Sequence, residues 1–406
     1  MKSKSTSSPG CTGSRCEFAT YSKVDPDSGQ LDTETPDAHR CLSVFVLPRR
    51  LSGSRSASIV ARLGWCSVRL GVLDVGSNTV HLLVVDAYRG GHPTPMSSTK
   101  ATLRMVEATD SSGKITKRAA DKLVSTIGEF AKIAVSSGCA ELMAFATSAV
   151  REAGNSDDVL SRVRKETGVR LQVLRGVDES RLTFLAVRRW FGWSAGRIIN
   201  LDIGGGSLEL SNGVDEEPEV ALSLPLGAGR LTREWLPDDP PGRRRVAMLR
   251  DWLDSELSDA SVTVLEAGKP DLAVATSKTF RSLARLTGAA PSAAGPRAKR
   301  ALTVNGLRQL IAFISRMTAS DRAELEGIST ERAPQIVAGA LVAEASMRAL
   351  SIETVDICPW ALREGLILRK LDSEADGTAL VQTSVRDTRG QEVDRNAANR
   401  SRGDKT

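Results

Sequence analysis

Buried strands and amphipathic helices alternate along the middle of this 406-residue chain. Continuous apolar runs predict strands at 69–74 and 80–86, and apolar positions spaced by three and four predict a helix at 117–137. Further strands are expected at 142–147, 171–174, 198–202 and 207–211, and further helices at 157–167, 179–191, 243–259, 303–313, 319–326 and 332–350. Strands and helices that alternate in this way predict an α/β fold.

The two ends of the chain depart from this pattern. Residues 1–67 and 373–406 are polar, show no sustained period and predict disordered segments. Because the globular pattern begins abruptly at Val68, residues 1–67 are alternatively an extension from a start codon placed too far upstream. Between the ends we expect a first lobe at 68–192 and a second lobe at 193–372, whose last segment after Trp360 returns to the first lobe.

Composition limits the classes of partner. The net charge is +6, but aromatic residues make up only 4% of the chain and do not alternate with basic residues, so no nucleic-acid partner is expected. No apolar run approaches membrane-spanning length, and no secretory signal precedes the strands, which predicts a cytoplasmic protein without a membrane partner. The six cysteines form no CxxC pair, so neither a zinc site nor a disulfide framework is indicated.

An internal repeat is the most informative feature of the sequence. Residues 73–79 read Leu-Asp-Val-Gly-Ser-Asn-Thr, and residues 201–207 read Leu-Asp-Ile-Gly-Gly-Gly-Ser. Each segment links two strands, which predicts a β-hairpin whose tip can present backbone N–H groups to an anion. Two such tips would face each other and clamp a phosphate chain. In the alternative interpretation, both are ordinary hairpins whose glycines serve only the turn.

The paired tips resemble the phosphate-binding loops of the superfamily of sugar kinases, heat-shock chaperone ATPases and actin. Within that superfamily the chain resembles the exopolyphosphatase and guanosine pentaphosphate phosphatase (Ppx/GppA) family over residues 68–372. The resemblance rests on residues 74–81, 146–151, 176–181, 202–209, 225–227 and 360–365. It implies two actin-like lobes of the ribonuclease H-like type, with the active site in the cleft between them, and a homodimer.

The resemblance also implies a function. The expected reaction is hydrolysis of the terminal phosphoanhydride of inorganic polyphosphate, with Mg²⁺ as the cofactor and Mn²⁺ as a substitute. Hydrolysis of the 5′-terminal phosphate of guanosine pentaphosphate, a step of the stringent response, is the close alternative. Two further alternatives are an actin-like kinase, since Gly339 resembles an adenosine-loop position, and a nucleotide or alarmone sensor without turnover.

Phosphate binding is expected at both tips and at Arg151, whose guanidinium can bind a phosphate oxygen bidentately. Without the family match, Arg151 is equally well a surface arginine at the start of a helix. The predicted phosphate-binding residues are Asp74, Gly76, Ser77, Asn78, Thr79, Arg151, Gly204, Gly205, Gly206 and Ser207.

Two acids are predicted to hold the metal and a third to align the attacking water. Asp202 ends a strand and Glu209 lies on the outgoing strand of the same hairpin, so both can address one Mg²⁺. Glu179 is the predicted catalytic residue, a role that the family motif implies. The alternative is that Glu179 merely caps the first turn of its helix. His81 occupies the position of Glu209 in the repeat, and the sequence leaves open whether it belongs to the core or to the site.

Basic runs at 243–245 and 297–300 have two interpretations. They are either solvated surfaces or the lining of a groove for a long polyanion.

Overall fold

The computed structural model describes residues 67–105, 108–110 and 112–375. The predictions made for residues 1–66 and 376–406 lie outside the described residues. Within the described ranges, no helix is both long enough and apolar enough to cross a membrane.

Two sheets form the framework. The strands of the first sheet are β1 (Val68–Val75), β2 (Thr79–Ala87), β3 (Thr94–Thr102), β4 (Glu141–Ala146) and β5 (Gln172–Val173). The strands of the second sheet are β6 (Ile198–Ile203), β7 (Leu208–Gly213), β8 (Val220–Leu224), β9 (Leu272–Ala275), β10 (Ala301–Thr303) and β11 (Thr354–Ile357). The spatial orders are β3-β2-β1-β4-β5 and β10-β11-β9-β6-β7-β8.

The two sheets share one topology. In the first, β1 pairs antiparallel with β2 and parallel with β4. In the second, β6 pairs antiparallel with β7 and parallel with β9. The internal repeat in the sequence is therefore a repeat of the fold, and the α/β prediction is confirmed.

Helices cover both sheets. They are α1 (Lys117–Ser136), α2 (Ser148–Arg151), α3 (Ser156–Thr167), α4 (Gly176–Phe191), α5 (Ala228–Trp235), α6 (Arg243–Glu266), α7 (Ser277–Leu286), α8 (Val304–Ile314), α9 (Ala319–Ala323), α10 (Ile336–Ala349) and α11 (Leu362–Ala375). The helix expected from residue 332 starts only at Ile336, because Pro334 disfavours helical geometry in the residue before it. Gly339, which the sequence likens to an adenosine-loop position, lies buried inside α10.

Helix α4 lies between the two sheets and therefore buries two faces. Leu182 joins the apolar cluster beneath the first sheet, which includes Leu70 and Val72. Phe184 and Val187 join a cluster with strands of the second sheet. A helix buried on both sides is held firmly, so its first turn is fixed at the junction of the sheets.

The chain returns to the first sheet in α11, whose Leu366 and Ile367 pack in the same cluster as Leu70. The approach of α11 to α4 requires glycine at position 365. A Cβ atom on Gly365 would overlap the backbone carbonyl of Leu182, which cannot move without shifting α4.

We expect Gly365→Ala to lower the free energy of unfolding by about 1–3 kcal/mol, because overpacking a close helix contact forces backbone shifts. The matched control is Gly128→Ala in α1, where an added methyl group would meet only the Thr167 side chain at 3.6 Å. That control should stabilise the protein by up to about 1 kcal/mol through helix propensity. Urea unfolding of both variants tests the contact, and equal effects of the two substitutions would contradict it.

Candidate active site

Both repeat segments form β-hairpins with the same tip geometry. In the first tip the Gly76 amide donates to the Thr79 carbonyl at 3.0 Å, and in the second the Gly204 amide donates to the Ser207 carbonyl at 2.9 Å. Asp74 pairs with His81 across the first hairpin, as Asp202 pairs with Glu209 across the second. The sequence alignment of the two segments is therefore also a structural alignment.

The two tips touch each other. A Cβ atom on Gly205 would lie 2.7 Å from the Cβ of Ser77, so the contact needs glycine there. Ser77 is buried, and its hydroxyl lies 3.0 Å from the hydroxyl of Ser148. Asn78 donates to the Gln335 side chain at 3.1 Å and so connects the first hairpin to the helical end of the second half.

A third glycine holds the second tip in place. The backbone of Gly227 packs directly against the backbone of Gly206 and Ser207, with no room for a side chain. The amides of Ala228 and Arg230 then donate to the carbonyls of Gly204 and Gly205, each at 3.0 Å. The Pro225-Leu-Gly227 motif thus fixes the shape of the tip.

Glu179 lies in the first turn of α4, where the two sheets meet, and only 8% of its surface is exposed. Arg151, at the end of α2, donates to the Glu179 carboxylate and to the Leu174 carbonyl at 2.8 Å. Burial, reinforced by the charge of Glu209, raises the pKa of Glu179 well above its usual value despite the arginine. A carboxylate with a raised pKa is a stronger base for a water proton.

Asp202 and Glu209 face the same place from neighbouring strands. The Thr276 hydroxyl donates to the Asp202 carboxylate at 2.6 Å, and the Ser223 hydroxyl donates to the Glu209 carboxylate at 2.9 Å. Burial raises the pKa of Asp202 to about 6. Burial and the charge of Asp202 together raise the pKa of Glu209 to about 8.

This pair has the chemistry of a Mg²⁺ site. Mg²⁺ uses one or two carboxylates and completes its shell with water and substrate phosphates. Burial raises the pKa of both acids, and a bound cation favours the charged form of a carboxylate. No group of three or more His, Cys, Asp or Glu side chains in the described part of the chain is arranged as a metal cage. A metal here would therefore rest on the two acids and on the substrate.

His81 is buried opposite Asp74 and contacts polar groups. It is 7% exposed, and its Nε2 atom lies 2.7 Å from the Ser98 hydroxyl and 3.4 Å from Nη1 of Arg363. Burial raises the pKa of its neighbour Asp74, while the positive charges of Arg363 and Lys278 oppose that rise. The Trp360–Gly365 motif therefore contributes Arg363 to the first hairpin.

Sequence reasoning did not single out three hydroxyl residues that contact the site, which are Ser148, Ser223 and Thr276. A second sequence repeat marks the segments that carry Ser148 and Thr276, because Ala-Thr-Ser occurs at both 146–148 and 275–277. In the first copy the Thr147 amide donates to the Val75 carbonyl at 3.1 Å. In the second copy the Thr276 amide donates to the Leu201 carbonyl at 2.9 Å. Ser223 has no such signal.

A cavity of about 480 Å³ opens beside the Arg151–Glu179 pair. Its lining residues include Arg151, Arg175, Gly176, Arg181, Ser207 and Ser223. The start of α4 presses so closely on β8 here that a side chain on Gly176 would overlap Ser223. Of the predicted site residues, Arg151 and Ser207 line this cavity, Asn78 lines a second cavity, and Thr79 supplies the carbonyl that closes the first tip.

Comparison with known proteins agrees with this arrangement. The family model described as the Ppx/GppA phosphatase family matches residues 84–374. Proteins named Exopolyphosphatase 1 from Mycobacterium bovis and Mycobacterium tuberculosis are 86% identical over 343 residues, which cover 83% of this chain and 100% of theirs.

Solved structures support the fold. A crystal structure of an exopolyphosphatase from Cytophaga hutchinsonii superposes with a TM-score of 0.68 at 24% identity, covering 77% of this chain and 99% of that one. The Aquifex aeolicus member of the Ppx/GppA family superposes with a TM-score of 0.65 at 22% identity, covering 76% and 99%. With two glycine-tipped hairpins meeting over buried acids, this chain belongs to the Ppx/GppA phosphatase family.

Proposed function

We propose that the protein is an exopolyphosphatase that hydrolyses the terminal phosphoanhydride of inorganic polyphosphate and releases orthophosphate. The observation that carries the proposal is the contact of the two glycine-rich tips, whose hairpins carry the half-buried Asp202 and the buried Glu209, near the buried Glu179. The mycobacterial relatives at 86% identity, named Exopolyphosphatase 1, support the choice of substrate.

The chemistry follows from the position of each group. The amides of the two tips and Arg151 bind the oxygens of the terminal phosphate. Glu179 aligns a water molecule, whose oxygen attacks the phosphorus while a water proton passes to the carboxylate. The bond from phosphorus to the bridging oxygen breaks, and its electron pair stays on the shortened chain. Arg151, bonded to Glu179, keeps that carboxylate pointed at the water and opposes its raised pKa.

Asp202 and Glu209 would hold Mg²⁺, or Mn²⁺ in its place. When bound, the ion neutralises negative charge on the phosphate oxygens. The hydrogen bonds from Thr276 and Ser223 orient the two carboxylates towards that position.

Hydrolysis of guanosine pentaphosphate, the reaction of the stringent response, is the second candidate because it breaks the same kind of bond at the same site. A kinase is less favoured, since Gly339 packs inside a helix against Thr279 and offers no nucleotide loop. A sensor without turnover would not need Glu179 to be held by Arg151 beside the two acids.

A cytoplasmic location and a homodimer also remain proposals. Cys139 and Cys358 are free thiols, and burial raises the pKa of the Cys358 thiol above its usual value. Unpaired thiols suit a reducing compartment. The homodimer rests on the family resemblance alone.

We expect Glu179→Gln to lower the rate of phosphate release from polyphosphate by about two to four orders of magnitude, because it removes the base. The matched control is Asp178→Asn, the preceding residue, whose carboxylate instead pairs with Arg175 at 2.8 Å. Malachite-green assays of both variants test the role, with unfolding midpoints to check the fold. Near-normal release by Glu179→Gln would show that another group serves as the base.

Chelation should abolish phosphate release, and added Mg²⁺ should restore it. Asp202→Asn and Glu209→Gln should each raise the Mg²⁺ concentration needed for half-maximal rate by at least about tenfold, because each removes an oxygen ligand. Asp215→Asn, an exposed acid in the turn after β7, is the control. Full activity in excess chelator would refute the metal role.

The substrate is decided by parallel assays with short polyphosphate, long polyphosphate, guanosine pentaphosphate and ATP. We expect both polyphosphates to be cleaved with higher kcat/KM than either nucleotide, since the tips recognise only phosphate oxygens. A preference for guanosine pentaphosphate would select the second candidate function. Tight binding of one of these compounds without any cleavage would select the sensor.

A further inference from the structure

Arg230, in α5, holds the second tip through two groups, and the mechanism above gives its side chain no role. Its amide donates to the Gly205 carbonyl at 3.0 Å, and its Nε atom donates to the Gly206 carbonyl at 3.1 Å. A single residue thus fixes the backbone of two successive glycines of the tip.

The same guanidinium reaches the other half of the molecule. Its Nη2 atom donates to the carboxylate of Glu152, the residue directly after α2. The second oxygen of that carboxylate lies 3.7 Å from Nη2 of Arg151. Glu152 therefore lies between two arginines, one from each half of the fold.

Helix α2 contacts the second tip at its start and α5 at its end. An added Cβ atom on Gly206 would lie 2.4 Å from the Ser148 hydroxyl oxygen at the start of α2. The Glu152 amide donates to the Ser148 carbonyl at 2.9 Å, and the Glu152 side chain binds Arg230. A helix of one turn has too few internal hydrogen bonds to hold its own direction. The contacts at its two ends therefore decide where Arg151 points.

Two carboxylates share Arg151. It donates to Glu179 and to the Leu174 carbonyl, and Glu152 lies beside it. Because Arg230 offsets the charge of Glu152, Arg151 stays directed at Glu179. The side chains of Arg230 and Glu152 are 24% and 40% exposed, and ion pairs of that kind contribute little to folding. What this pair sets is the position of Arg151.

Resting on the proposed function, we propose that Glu152 and Arg230 are positioning residues for the hydrolysis, whose ion pair ties the second tip to Arg151 and keeps Arg151 directed at Glu179. The tip binds the terminal phosphate and Glu179 aligns the water, so the pair fixes the attacking oxygen relative to the phosphorus. Phosphoryl transfer needs these two atoms close together and in line with the leaving oxygen.

The first test compares kcat and KM for tripolyphosphate with saturating Mg²⁺ in full-length proteins. Arg230→Gln should lower kcat by about tenfold to a hundredfold with little change in KM, because the groups that bind phosphate remain but are displaced. Arg230→Lys should recover part of the loss, since its ammonium group can still pair with Glu152. Glu234→Gln is the matched control, because Glu234 is 43% exposed and contacts the same arginine at 3.8 Å. Its kcat should be normal.

The pH dependence of kcat gives a readout that a structural role would not change. Glu179 works as a carboxylate, so the rate falls as the pH drops through its pKa. The charges that face Glu179 are Arg151, Glu209 and Asp74. In Glu152→Gln, Arg151 is left wholly to Glu179, which lowers the pKa of Glu179 and moves the acid limb to lower pH.

Arg230→Gln should move the acid limb the other way. Glu152 without its partner draws Arg151 away from Glu179, so the pKa of Glu179 rises and the limb moves to higher pH. Because Arg230 acts on Arg151 through Glu152, adding Arg230→Gln to Glu152→Gln should not move the limb further. Titration of the substrate cancels, since all proteins are compared on the same compound.

Melting temperatures of all variants are measured in parallel and should stay near that of the wild-type protein. Near-normal kcat in Arg230→Gln, with phosphate release by the wild-type protein, overturns the pair alone. A lower kcat with an acid limb that does not move assigns the two residues a structural role and overturns the pair too. A wild-type protein that releases no phosphate from any polyphosphate overturns the proposed function and the pair with it.

Discussion

The organisation of the molecule depends on several carboxylates held close together at one junction, where burial opposes their charged form. Glu179 and Glu209 are buried, Asp74 and Asp202 half-buried, and the mutual repulsion of the acids adds to the cost of burial. Such a group is tolerated only where the surrounding structure is rigid enough to impose it. Here that rigidity comes from α4, which is packed on both faces between the sheets. A cation bound among these carboxylates would offset the cost of burying them.

Glycine makes the junction possible because backbones must approach within a distance that no side chain permits. Gly227 lies against Gly206, Gly205 against Ser77, and Gly176 against Ser223. Each contact joins an element of one half to a tip or to the helix that carries Glu179. Loss of any one would move an acid or an amide relative to the phosphate, and catalysis is sensitive to shifts of that size.

The hairpins and Glu179 could be predicted from the sequence because their signals are local. A buried strand, a glycine-rich tip and the start of a helix can each be recognised within a few residues.

Strand β3 could not be predicted, because Thr94–Thr102 is an exposed edge strand in which apolar and polar residues do not alternate. Ser223 and the pair of Glu152 with Arg230 could not be predicted either. They come from separate elements and meet only through the strand order of the sheets, so no contiguous pattern marks them. Among the basic runs that are visible in the sequence, Arg300 instead binds the backbone carbonyls of a loop, and residues 243–245 are exposed.

The duplicated frame differs between its halves at several matched positions, and at one of them Asp202 faces Glu209 but Asp74 faces His81. Linear polyphosphate has two identical ends, so reversing the chain gives the same complex and only the protein can make its surroundings unequal. An acid pair lies in one half and an acid–imidazole pair in the other. The two sides of the junction are therefore chemically different, and they would treat a terminal phosphate differently.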